Sequence, residues 1–154
     1  MTKVICGAQH VDETIGYLQE AGQRGTECVV LWLAGQGANA IEVKTVYRPA
    51  QFAESDVFRI PPASMRELMN VLSSNQLRIA AQVHSHPFEA FHSPADDTWA
   101  IIRHRNALSL VVPHFALRTD ARTFRYDTKV FKLDAANRWV ELANHEVGQW
   151  LQIP

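Results

Sequence analysis

The run Cys28-Val29-Val30-Leu31-Trp32-Leu33-Ala34 is the tightest constraint on how this chain folds. Its residues are β-branched or apolar almost throughout, so a strand beginning at Glu27 and ending at Ala34 has no polar side to give to water and must be covered on both faces. The segment Leu108-Ser109-Leu110-Val111-Val112-Pro113 reads as another buried strand. Between these runs the chain shows helical signals. Asp12 is placed to cap a helix over Glu13 to Ala21, with Ile15, Leu18 and Gln19 at helical spacing, ended by Gly22 or Gly25. Ser64 and Glu67 form a capping box for a helix through Leu72, whose apolar stripe is Met65, Leu68, Met69 and Leu72. Pro94 opens a third helix over Ala95 to His104.

Gly35 to Asn39 turns the first buried strand into a hairpin partner at Ile41 to Tyr47. A short run follows at Val57 to Ile60, and Ile79 to His84 returns as a strand. Thr123 to Tyr126, Val130 to Leu133 and Trp139 to Leu142 read as a terminal meander, the last two joined through Asp134 to Arg138. Helices interrupting mostly hairpin-connected strands predict an α/β or α+β sandwich around a mixed sheet. With 154 residues, 47% of them hydrophobic, the chain is expected to form one domain over 1–154 that buries a core without staples. A net charge of −1 with no Lys/Arg cluster argues against nucleic acid as a partner. No apolar stretch approaches the length of a membrane span and the N-terminus lacks a long apolar segment, so the expectation is a soluble, cytoplasmic protein. Cys6 and Cys28 are read as two reduced, partly buried thiols.

Chemistry concentrates in His84-Ser85-His86-Pro87 followed by Ser93, Pro94 and Asp96. On a strand the period of two puts His84 and His86 on one face, roughly 6 to 7 Å apart along the backbone, where both can reach one ion. An Asp from the next element adds a third ligand and leaves a fourth position for water, the arrangement of a catalytic zinc site. Ser93-Pro94-Ala95-Asp96 is also a good helix start with no metal required. The two readings are compatible, because a capping Ser fixes the turn in which the Asp sits. His92 is left out of the ligand set, since a fourth protein ligand would close the water position; it is read as a loop residue that supports the site. Asp97 is the alternative ligand, but successive helical residues point about 100° apart, so only one of the pair can face an ion. Phe88, Phe91 and Trp99 surround the motif, either packing in the core or lining a substrate groove.

The pattern His84-x-His86-Pro87 … Ser93-x-x-Asp96 resembles that of the JAMM/MPN+ metalloproteases, and the order of elements from Met1 to Ala116 is similar to the family's domain. Six residues separate His86 from Ser93, where the family most often has seven. Ala90-Phe91-His92-Ser93 with Asp96-Asp97 looks like small bacterial members associated with ubiquitin-like conjugation. The resemblance implies a mixed sheet sandwiched by helices, cytidine-deaminase-like in outline. It implies Zn²⁺ held by His84, His86 and Asp96, with Glu27 as the acid/base and Ser93 as oxyanion donor; Glu89 is a weaker rival to Glu27. It further implies a peptidase or isopeptidase acting after the C-terminal tail of a ubiquitin-like protein, with neighbours related to ubiquitin-activating and -conjugating enzymes. Processing of a sulfur-carrier protein, or a catalytically silent scaffold, are the competing readings; the His-x-Glu and Pro-Cys-x-x-Cys elements of nucleobase deaminases are missing.

Overall fold

The computed structural model describes residues 3–36, 40–53, 58–93, 96 and 100–154. In chain order the elements are β1 (Val4–Ile5), α1 (Ala8–Gln23), β2 (Val29–Gly35), β3 (Ile41–Tyr47), β4 (Phe52–Ala53), β5 (Phe58–Arg59) and α2 (Pro62–Asn75). There follow β6 (Leu77–Ser85), β7 (Leu108–Val112), a one-turn 3₁₀ segment at His114–Ala116, α3 (Phe124–Asp127), β8 (Lys129–Leu133), β9 (Trp139–Glu141), α4 (Asn144–Val147) and β10 (Leu151–Gln152).

Eight of the strands form one mixed sheet in the order β10-β1-β3-β2-β6-β7-β8-β9, and β4 pairs only with β5. β2 lies inside it, antiparallel to both β3 and β6, while β6 and β7 run parallel. The continuous apolar run of β2 now has its reason. Val30, Trp32 and Ala34 face a core built with Val11, Ile15 and Leu18 of α1, whereas Leu31 and Leu33 face Leu68, Met65 and Leu72 of α2. Both faces are covered, and each residue from Cys28 to Ala34 is fully buried. The indole of Trp32 donates to Thr14 Oγ1 at 2.8 Å, which satisfies the one polar atom that burial of this side chain would strand.

Several boundaries differ from the sequence expectation, each for a local reason. α1 starts at Ala8 after Gly7 instead of at Asp12, because Val11 is itself buried and the apolar stripe extends one turn earlier. Gly22 is inside this helix, which closes at Arg24. α2 begins at Pro62, whose missing N–H suits the first helical position, so Ser64 and Glu67 lie inside the first turns and no capping box forms there. Met69 is half exposed and off the packed stripe. Thr123 to Tyr126 does not form a strand: Asp120 Oδ1 accepts the amides of Arg122 and Thr123, and that turn leads into α3. Pro94, Ala95 and residues 97–99 of the third expected helix, and Val57 of the short run, lie outside the described residues. Residues 100–104 are not helical, since the Ile101 amide donates to the side chain of Gln82 in place of a helical carbonyl.

The hairpin between β8 and β9 forms as expected, with Asp134 Oδ1 accepting the amides of Ala136 and Arg138 and Asn137 in the left-handed region at φ 62°. β10 then returns beside β1, with Val4 N–H donating to Trp150 O and Cys6 N–H to Gln152 O. Both cysteines are free and fully buried, deeper than the sequence suggested. Among the described residues no helix is long and apolar enough to cross a membrane.

Candidate active site

β6 carries His84 near its end, and His86 follows one residue beyond it. The period of two turns both rings to the same side, with centroids 5.2 Å apart and both side chains buried. Asp96 comes to meet them. Its Oδ2 lies 3.2 Å from His84 Nε2 and 3.0 Å from His86 Nε2. The six-residue connection from His86 to Ser93 therefore brings Asp96, not a displaced neighbour, to the imidazoles; Asp97 lies outside the described residues.

Ser93 and Asp96 cap each other. The Ser93 hydroxyl accepts the Asp96 amide at 3.0 Å, and Asp96 Oδ2 accepts the Ser93 amide at 2.8 Å, a reciprocal box with Asp in the place usually held by Glu or Gln. One carboxylate thus serves the cap and the imidazole pair together. Burial by itself would push its pKa up, but the contacts from His84 and His86 and the Ser93 amide outweigh that and hold the carboxyl well below the usual range.

Glu27 reaches the site through strand pairing. Cys28 N–H donates to Ser85 Oγ at 3.1 Å, and Ser85 N–H donates to Cys28 O at 3.1 Å, continuing the register Val29↔His84. Extended by two residues, that register sets Glu27 opposite His86 on the face that bears both imidazoles. Gln51 fixes the start of β2 where β3 no longer pairs with it, accepting from Val29 N–H at 2.8 Å and donating to Val29 O at 3.0 Å. Glu27 is almost wholly buried. It lines a cleft of about 590 Å³ with His86 and Ser93, closed by Gly25, Pro87, Phe88, Phe91 and Phe115. Glu89 lines the same cleft from an exposed bend outside any regular element.

The aromatics expected near the motif divide. Phe91 meets His86 edge-on at 4.5 Å and is half exposed, and Phe88 projects into solvent at 74% exposure, so both belong to the cleft wall and not to the core. Trp99 lies outside the described residues. Phe115 is a wall residue that nothing in the sequence singled out. It sits in a turn whose three residues, His114, Phe115 and Ala116, all have positive φ (56°, 53° and 60°), a conformation that costs a non-glycine residue about 1 kcal/mol or more. Tertiary bonds hold it there: His114 N–H donates to Phe88 O at 2.8 Å, Phe115 N–H to His86 O at 2.7 Å, and Gln19 Nε2 to Ala116 O at 2.9 Å.

Among the described residues, His84, His86 and Asp96 form the one cluster of three metal-type donors, their donor atoms within 4.8 Å of one another. Tetrahedral ligands with arms of about 2.0–2.1 Å have donor atoms about 3.3 Å apart. Two of the three donor separations, 3.0 and 3.2 Å, approach that edge length and the third lies within 4.8 Å, so the donor set fits a divalent ion in kind and spacing. His10, His104, His114 and His145 are not part of the cluster.

No family model matches the sequence. A Sinorhizobium fredii protein named "Probable metalloprotease y4jG" is 35% identical over 141 residues, which cover 89% of this chain and 85% of that relative. Two solved structures share the fold at low identity. One is a solution structure of a Desulfitobacterium hafniense protein, with a TM-score of 0.71 at 14% identity over 98% of this chain and 92% of that one. The other is the crystal structure of a JAB1/MPN domain protein from Archaeoglobus fulgidus, with a TM-score of 0.53 at 12% identity over 98% and 97%. The likeness to that probable metalloprotease, together with the shared fold, sets the class, a metallopeptidase. Within it, the chain belongs to the JAMM/MPN metalloprotease family.

Proposed function

We propose that the protein is a zinc-dependent isopeptidase or peptidase that hydrolyses the bond after the C-terminus of a ubiquitin-like modifier, releasing it from a conjugate or trimming its precursor. The observation that carries this reading is the meeting of two imidazoles and one carboxylate beside a cleft that Glu27 and Ser93 also line. His84, His86 and Asp96 would hold Zn²⁺, which when bound would supply the Lewis acidity that lowers the pKa of a water and polarises the scissile carbonyl.

The remaining chemistry belongs to the chain. Glu27 accepts the proton of the attacking water and hands it to the leaving amine; its position on a strand start braced by Ser85 and Gln51 gives it the fixed geometry this transfer needs. Ser93 Oγ accepts the Asp96 amide, which leaves the hydroxyl proton to donate to the developing oxyanion. Phe88, Phe91 and Phe115 make an apolar wall that excludes water and can hold an extended peptide tail.

The test is zinc stoichiometry together with cleavage of a glycine-ended ubiquitin-like fusion. Wild type is expected to carry zinc and cleave. Glu27→Ala keeps the zinc and loses turnover by about 10²–10⁴-fold, and His84→Ala loses both. Full activity in Glu27→Ala overturns the assignment of the base; a zinc-loaded wild type that cuts ordinary peptides but not the fusion overturns the substrate.

A further inference from the structure

Gln82 of β6 and Ser109, the one polar residue of β7, are both fully buried and face the same side of the sheet. They are register partners across the parallel pair, two residues before His84 and its partner Val111, and Gln82 Nε2 donates to Ser109 Oγ at 2.9 Å. The remaining polar atoms of this pair reach out of the sheet. Gln82 Oε1 accepts the Ile101 amide at 3.0 Å, and Ser109 Oγ lies 3.2 Å from His92 Nε2. His92 is itself packed against Phe131, whose register partner is Ser109, and Trp139, with ring centroids at 5.2 and 5.1 Å. Its ring also meets that of His84 edge-on at 5.9 Å.

Residues 92 and 101 bracket the stretch that contains Ser93 and Asp96, and each is tied to the same buried pair. From this we infer that Gln82, Ser109 and His92 are positioning residues: a clamp that seats the Asp96-bearing segment on the sheet and so fixes the carboxylate against His84 and His86. This rests on the reading of His84, His86 and Asp96 as zinc ligands. It also gives the C-terminal meander a part in the site, since β8 and β9 supply Phe131 and Trp139, the aromatic seat of His92. An interaction of Nε2 with Ser109 accounts for His92 staying out of the ligand set despite its place beside Ser93.

The clamp is tested on the full chain by zinc affinity, measured in competition with a chromogenic chelator, beside thermal unfolding of the zinc-free protein. Gln82→Met with Ser109→Ala removes both buried polar side chains at similar shape, and the Ile101 amide and His92 ring that they leave belong to half-buried residues within reach of water, so the zinc-free melting temperature is expected to fall little. Zinc affinity is expected to fall 10- to 100-fold. His92→Ala falls likewise, whereas His92→Gln, which still reaches Ser109, recovers most of the affinity. Wild-type zinc affinity in the double variant and in His92→Ala overturns the inference, as does a loss of affinity that only tracks a loss of melting temperature. Should the double variant fail to fold, the His92→Ala and His92→Gln pair decides on its own. A wild type that takes up no zinc overturns the proposed function and the clamp with it, a result distinct from unchanged affinity in the variants.

Discussion

Asp96 combines two demands in one carboxylate. Its Oδ2 closes the turn begun by Ser93 and also faces both imidazoles, so the order of the local backbone and the geometry of the donor cluster depend on one another. Because its folded pKa lies below the unfolded value of about 3.9, Asp96 binds its proton less readily when folded. Its contribution to zinc-free stability is therefore complete above about pH 5 and is lost progressively as pH falls below about 4 toward the depressed folded value. Asp96→Asn is expected to flatten the acid limb of a stability curve from urea unfolding at successive pH; an unchanged limb would show that the carboxylate is not held as described. At this scale much was legible in the sequence. The shared face of His84 and His86 follows from a strand period, and the link of Ser93 to Asp96 from capping chemistry. Glu27 came from family resemblance, and the register that sets it opposite His86 depends on Ser85 bonding to Cys28, 57 positions away. Gln51, Gln82, Ser109 and Phe115 were not legible, because each matters through a contact that no local pattern encodes.

Elements show the same division between local and long-range control. The apolar stripes predicted α1 and α2, and two-sided burial predicted β2, but both helix starts were misplaced. Val11 draws α1 back by a turn, and Pro62 suits the first position of α2 better than Ser64 suits its cap. The docking of α1 against the left-handed turn at His114–Ala116 is a tertiary feature. Gly22 permits it: a Cβ there would lie 2.4 Å from Phe115 Cβ and 3.0 Å from Phe115 O. Gly22→Ala is expected to destabilise by about 1–3 kcal/mol and to raise KM, since the displaced Phe115 walls the cleft. Denaturant unfolding and steady-state kinetics check both; a variant with native stability and native KM would contradict this docking.

Across the whole molecule, the two-layered core and the site share the same sheet. The α1 face holds Cys6 and Cys28, both fully buried. Burial pushes the Cys6 thiol up to about 12, and it raises that of Cys28 against a partly offsetting hydrogen bond from Arg48. Native protein is expected to resist iodoacetamide at pH 8, with both thiols reacting together at the rate of global unfolding; selective reaction of Cys28 in the native state would mean that the β2 start opens by itself. Burial of both thiols also keeps sulfur away from the donor cluster, which leaves nitrogen and oxygen to hold the ion. X-ray absorption at the zinc edge of the loaded protein reads those ligands most directly. The expected spectrum has two imidazoles with oxygen at about 2.0–2.1 Å, unchanged in Glu27→Ala, which keeps the zinc. A sulfur shell at about 2.3 Å, or a wild-type spectrum without histidine scattering, would contradict the site at its foundation.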